Sequence, residues 1–258
     1  MSRIVTLLYG VVAYLVFQGV SLYAVGFIGG FWTPTRLDGA PTHSLGVALA
    51  VDLGLLAAFA VQHSGMARPA FKRWWTRITP QPVERSTYVL VSNLAMLALF
   101  AAWQPIGGVI WTTDGLVRGV VIGVYLLGWG LLFYSTFLID HFDLFGLRQV
   151  WRAFRGQPYV APRFHTPGLY RIVRHPLYVG WLTIFWAAPT MTVAHLIFAL
   201  VTTAYILFAI QLEERDLSAT FGRDYADYRR RTPMLVPWPR KDRADDASIT
   251  AWTCMKDH

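Results

Sequence analysis

Ionisable side chains stand in this sequence where long apolar runs should exclude them, and they fall into three groups. Asp52 interrupts an apolar block, and His63 follows eleven positions later. Eleven helical steps leave an offset of about 20°, so one helix would carry both on one face. A charged group inside a membrane span costs about 2.5–3.5 kcal/mol on insertion scales, so Asp52 is either a functional group or a polar tie between helices. Asp140, His141 and Asp143 form the second group. Two carboxylates beside an imidazole raise its pKa and fix its tautomer, which suits proton abstraction; the same residues also suit a solvated helix end. Tyr134 lies seven positions before His141, near the same face, where it either lines a site or packs. The third group is a basic loop, His165 to Trp181, entering an apolar helix through Arg174-His175-Pro176. Proline favours the first helical position, so a helix is expected from Pro176 with free amides at its start. Glu213 and Glu214 follow an apolar stretch, and Phe221-Gly-Arg-Asp-Tyr-Ala-Asp-Tyr228 follows them.

These groups need apolar elements to hold them. Of the 258 residues, 55% are hydrophobic and only 15% charged, where a soluble domain carries about 25% charge. Five apolar blocks stand out: Ile4–Ile28, Ser44–Gln62, Ser86–Trp103, Leu116–Ile139 and Leu177–Leu212. A span needs about 20 apolar residues to cross roughly 30 Å of hydrocarbon. The first block lacks a cleavage site and reads as a retained helix. The fifth is too long for one span and short for two, and Pro189 near its middle favours a break. A hairpin of arms 177–188 and 191–212 is therefore expected, returning Glu213 and Glu214 to the neighbourhood of His175. The fold class is an all-α integral membrane protein of four transmembrane helices plus a C-terminal helical hairpin, with cytosolic loops and tail. Every Lys and Arg except Arg36 and Arg118 falls on one side of this topology. The positive-inside rule then makes both termini cytosolic. The net charge of +8 belongs to that asymmetry and to an anionic inner leaflet. No nucleic-acid motif accompanies it. A single cysteine, Cys254, excludes an internal disulfide, and the seven histidines form no i, i+4 ligand pair, so no metal is expected. Residues 240–258 read as a disordered tail behind a single domain over 1–239.

The ordered pattern Gly168-x-Tyr170-Arg-x-Val-Arg174-His175-Pro176-x-Tyr178-x-Gly180, an apolar hairpin, Glu213-Glu214, then Phe221-Gly-x-x-Tyr225-x-x-Tyr228 and Pro233 and Pro237, resembles the isoprenylcysteine carboxyl methyltransferase superfamily. The leader from Met1 to Gly10, the run Ala60–Trp75 and Glu84–Leu90 resemble its NnrU-like branch, and within it the bacterial methanethiol S-methyltransferases. The resemblance covers nearly the full length. It implies S-adenosylmethionine as methyl donor, methanethiol as acceptor and dimethyl sulfide as product, in a bacterial inner membrane with the site cytosolic. By motif, it assigns cofactor binding to Tyr170, Arg174, His175, Tyr178, Gly180, Glu213, Glu214, Tyr225 and Tyr228, within a cofactor-binding part over 163–239. Glutamates would accept from ribose hydroxyls or the amino group, and an arginine would hold the carboxylate bidentately. The glycine-rich loop of soluble methyltransferases is absent, so the resemblance carries the cofactor.

The implied chemistry is displacement by a thiol whose reactive form is the thiolate, and a positioned base would add about 10²–10⁴-fold. His63, His141 and Asp140 are the candidate bases, with Asp52 a possible partner. Two rivals stay open. One keeps the enzyme class with another acceptor, such as an isoprenylcysteine carboxylate, a lipid or another thiol. The other is a membrane transporter with buried Asp and His relays, which would call for paired repeats that the sequence lacks.

Overall fold

The computed structural model describes residues 2–160 and 164–238. The expected tail over 240–258 lies outside the described residues. Among the described residues, five helices are long and apolar enough to cross a membrane: α1 (Arg3–Gly29), α2 (Leu45–Ala67), α4 (Gln81–Ala102), α5 (Gly115–Leu138) and α9 (Val193–Phe221). Local chemistry sets their ends. Ser2 caps α1, its hydroxyl accepting from Val5 N, and Gly30 closes the helix at φ 75°. Pro69 stops α2 and opens the short α3 (Pro69–Trp75). Thr192 caps α9 by accepting from His195 N. Many large apolar side chains point outward, including Leu8, Leu15, Leu22, Leu116, Leu127 and Leu207. A soluble monomer does not expose so much apolar surface, and the chain is a multi-pass membrane protein.

The bundle has two ends. The basic end carries α3, α6 (His141–Leu144), α7 (Leu147–Phe154), a 3₁₀ turn (Gly168–Arg171) and α10 (Arg223–Arg231). The opposite end carries the connections 30–44, 103–114 and 187–192. Between them an aromatic core runs through Phe27, Phe100, Trp103, Phe198, Phe185 and Trp181 to Trp129.

The fifth apolar block does break near Pro189, but its arms differ from the expected ones. Helix α8 (Pro176–Trp186) has 11 residues and stops three short of the proline. At 1.5 Å per residue it advances about 16 Å, roughly half a hydrocarbon thickness. The chain then runs extended through β2 (Thr190–Thr192), which covers distance faster than a helix. β2 pairs antiparallel with β1 (Val109–Thr112), a ribbon that the expected all-α class did not contain. Its signal is the run Val-Ile-Trp-Thr, rich in β-branched and aromatic residues. Helix α9 continues nine residues beyond the expected end at 212, carrying Glu213 and Glu214 as helical residues. His175 against Glu214 at one end, and Phe185 against Phe198 at the other, show that α8 and α9 run antiparallel.

Helix α8 packs most closely not on α9 but on α5. A Cβ on Gly180 would meet Leu132 N at 2.9 Å and Leu132 Cα at 3.0 Å; one on Gly128 would meet Ile184 N at 3.1 Å. At the opposite end, His195 ties this pair to the 30–44 connection. Its Nδ1 lies 3.0 Å from Asp38 Oδ2 and its Nε2 lies 3.1 Å from Phe185 O. Asp38 also accepts from Thr192 Oγ1. Both ring nitrogens face acceptor oxygens, so His195 fastens the start of α9 to Asp38 and to the end of α8.

Candidate active site

At the basic end, α8 and α9 bring Arg174, His175, Glu213 and Glu214 together. The two acids have different environments. Glu214 is 4% exposed and accepts from Arg174 Nε at 2.7 Å; His175 Nε2 stands 3.1 Å from the same oxygen. Arg229 Nε lies 3.3 Å from its other oxygen. Arg174 spends its remaining donors inward as well. Its Nη1 reaches Thr232 O at 2.6 Å and Arg229 O at 3.2 Å, and its Nη2 reaches Glu214 at 2.7 Å. All three nitrogens are engaged, so Arg174 does not present the two-pronged face that a ligand carboxylate would need. It clamps the chain after α10 onto α9, helped by Arg174 N donating to Pro233 O and His175 N to Met234 O.

Glu213 is the open acid. Its side chain is 44% exposed and 3.9 Å from His175 Nδ1, and its charge reaches the Tyr178 phenol. Tyr170 joins from the 3₁₀ turn; burial first, then the Glu213 charge, pushes its phenol above the usual range. Tyr228 donates to Tyr170 O at 2.6 Å, and burial holds its own phenol up at about 12. Tyr225 is 1% exposed beside Phe164, and its hydroxyl has no hydrogen-bond partner among the described residues. An open carboxylate, an orphaned buried hydroxyl and several aromatic rings fit a cationic ligand rich in hydroxyl and amino groups. Gly180 does not face this cluster: its Cα turns to α5, where it permits the close approach described above.

One turn deeper on α8, Tyr178 lies within electrostatic reach of Tyr88 on α4 and Tyr205 on α9. These lead to His63. Tyr88 Oη stands 3.0 Å from His63 Nε2, and Ser92 Oγ stands 3.2 Å from Nδ1. Phe59, one turn earlier on α2, stacks on the imidazole at 5.2 Å. His63 is thus held by the neutral hydroxyl groups of Tyr88 and Ser92. The sequence reading missed Tyr88, Ser92, Ser64 and Tyr205. One signal was legible: Arg85, Tyr88 and Ser92, at i, i+3 and i+7, share one face of a helix. Arg85 sits 5.1 Å over the Tyr88 ring and donates to Leu144 O. It also lines a cavity of about 520 Å³ at the basic end, shared with Lys72, Glu84, Asp143, Gln149 and Tyr159.

The other sequence candidates stand apart. Asp52 is fully buried, and its Oδ1 accepts from Gln104 N at 2.8 Å beyond the end of α4. It shares α2 with His63, but eleven residues amount to about 16 Å along the axis, so the two cannot hydrogen-bond. His141 is 2% exposed, with Nδ1 at 2.7 Å from Thr136 Oγ1 and Nε2 at 2.9 Å from Tyr14 Oη. Rings of Phe17, Phe137, Phe142 and Phe145 surround it, and burial lowers its pKa. Asp140, with φ at 77°, caps α6 by accepting from Asp143 N and pairs with Arg148. Both are occupied in forming the turn between α5 and α7. Tyr134 is 54% exposed on the outer surface of α5. Among the described residues no group of acids and histidines could hold a metal.

A phospholipid methyltransferase family model matches residues 120–224, from within α5 to α10. The chain is 55% identical over 239 residues to a methanethiol S-methyltransferase of Crocosphaera subtropica, covering 92% of this chain and 94% of that protein. It is 55% identical to methanethiol S-methyltransferase 2 of Bradyrhizobium diazoefficiens, covering 92% and 91%. With the methanethiol S-methyltransferase of Mycobacterium tuberculosis it shares 49% identity, covering 93% and 99%. No solved structure matches.

Proposed function

The chain belongs to the methanethiol S-methyltransferase family, and on that premise we propose that it transfers a methyl group from S-adenosylmethionine to methanethiol, giving dimethyl sulfide. The observation that carries this reading is the placing of Tyr178 within electrostatic reach of both Glu213, beside His175, and Tyr88, which meets His63. The open Glu213 side suits the donor and the aromatic His63 side a small thiol. Glu213 accepts from the donor's hydroxyl or amino groups, Tyr170 and Tyr225 supply further polar contacts, and the Glu214–Arg174–His175 cluster holds these side chains in place. S-adenosylmethionine, when bound, supplies an activated methyl group on a cationic sulfur. The phenol rings of Tyr178 and Tyr205 favour that charge through their faces.

His63 is the base. Its nitrogens face only hydroxyl partners, so the thiol proton passes to the imidazole directly or through the Tyr88 oxygen. Asp52, His141 and Asp140 serve the bundle instead, as a cap on the end of α4 and as parts of the α5–α7 turn. The topology we propose is four crossings, α1, α2, α4 and α5, followed by the α8–α9 hairpin in one domain, with the basic end and both termini in the cytosol of a bacterium. A different acceptor or a transporter is less favoured, because neither accounts for the likeness to methanethiol S-methyltransferases over nine-tenths of the chain.

The test is direct. Protein purified in detergent is given S-adenosylmethionine and methanethiol, and headspace gas chromatography measures dimethyl sulfide. Product is expected, and H63N should lower kcat by about 10²–10⁴-fold with donor affinity retained. The deficit should narrow as pH rises toward the thiol pKa, because solution then supplies thiolate. Donor binding without a volatile sulfide would refute the acceptor; no donor binding would refute the enzyme.

A further inference from the structure

Helices α2 and α9 run side by side, and two side-chain bridges join them. Arg68 pairs with Asp216 at 2.9 Å at the basic end, and deeper in, Tyr205 Oη and Ser64 Oγ meet at 2.9 Å. The second bridge stands beside the proposed base. Ser64 directly follows His63 in sequence, and the Tyr205 ring lies 6.4 Å, edge-on, from Phe59, the same ring on which His63 stacks. Tyr205 is also within electrostatic reach of Tyr178, on the donor side. It therefore stands between the two helices, at the level where donor and acceptor would meet.

We infer that Tyr205, latched to Ser64, is a specificity-determining residue that closes the acceptor pocket between α2 and α9 and limits it to the smallest thiols. This rests on the methyltransferase reading above. The physical argument is steric. A thiol held near His63 with its sulfur toward the donor has its carbon substituent directed among Phe59, Tyr88 and Tyr205. A single methyl group needs no further room there. A longer chain needs the space that the phenol ring fills, and the hydrogen bond to Ser64 keeps that ring from swinging aside. Packing against rigid rings makes one added methylene worth about 10- to 200-fold in discrimination. The balance is that of an ordinary thiol alkylation. The acceptor S–H bond breaks and its proton goes to His63; the new S–C bond forms as the donor C–S bond breaks, and that electron pair stays on the leaving sulfur.

The experiment compares kcat/KM for methanethiol, ethanethiol and 1-butanethiol by headspace gas chromatography of the thioethers. The native protein, Y205A, Y205L and S64A are used, each checked for donor binding by calorimetry and for thermal stability. The native protein should prefer methanethiol over ethanethiol by about tenfold or more. Y205A should reduce that preference to within about threefold and admit butanethiol. Y205L and S64A, which remove only the latch or leave a comparable bulk, should move the ratio less and in the same direction. If Y205A does not fold, the other two variants decide. Ratios that stay native in every folded variant overturn the inference and leave the methyltransferase reading intact. A native protein that forms no thioether at all sinks both.

Discussion

The adjacent acids Glu213 and Glu214 look alike in sequence and differ in work. Glu214 is buried and shared among Arg174, His175 and Arg229, with Arg174 the closest partner. R174A should cost about 3 kcal/mol of stability, read by thermal melting in detergent, because Glu214 keeps only its two weaker partners and the Thr232 and Arg229 carbonyls lose their donor. E213Q should leave the melting temperature nearly unchanged and weaken donor binding by about 1.5–3 kcal/mol, read by calorimetry, because a charge-assisted hydrogen bond to the ligand is lost. The two histidines in which sequence reasoning sought a base each meet two hydroxyl groups, and place separates them: His63 stands among Phe59, Tyr88 and Ser92, while His141 is walled by Phe17, Phe137, Phe142 and Phe145 in the α5–α7 turn. His141 has both nitrogens taken and its pKa lowered by burial. The unfolded chain would bind a proton there near pH 6.5, and the folded chain resists it. Its contribution to stability is therefore present above about pH 6.5 and lost as pH falls below. H141Q should flatten the drop in melting temperature between pH 7.5 and 5, and an unchanged slope would show that other groups carry it.

Among the elements, α8 matters most because it carries Tyr178, follows directly on His175 and is too short to be held by the bilayer alone. Its position depends on the glycine contact with α5. G180V should cost about 1–3 kcal/mol or more, since the new side chain meets backbone atoms of Leu132 that cannot rotate away. Donor affinity should fall with it, although Gly180 does not face the donor cluster. A melting temperature equal to the native one would contradict the packing account. The break in the fifth apolar block was legible from its length and Pro189. The half-helix and the β1–β2 ribbon were not, because a ribbon depends on two segments 80 residues apart in sequence meeting in space. Element ends set by local signals, such as Pro69 after α2 and Pro176 opening α8, were readable one residue at a time.

At the scale of the molecule, the charge distribution makes a checkable statement about sidedness. Cys254 is the single cysteine, so a membrane-impermeant maleimide added to spheroplasts reports the side of the C-terminal segment alone. Labelling should appear only after permeabilisation; labelling of intact spheroplasts would invert the topology. The sequence by itself determined the membrane class, the apolar blocks and their basic flanks, because span length and charge asymmetry are additive properties of composition. It also placed the Arg-His-Pro and Glu-Glu segments on neighbouring arms, since a hairpin brings chain neighbours back together. Only the tertiary structure decided which polar residues share a site. Helical periodicity put Asp52 and His63 on one face, yet a face is long, and about 16 Å of axis separates them. Which hydroxyl meets His63, which acid stays open and which arginine is spent inward depend on contacts between helices far apart in the chain, and no local pattern encodes those.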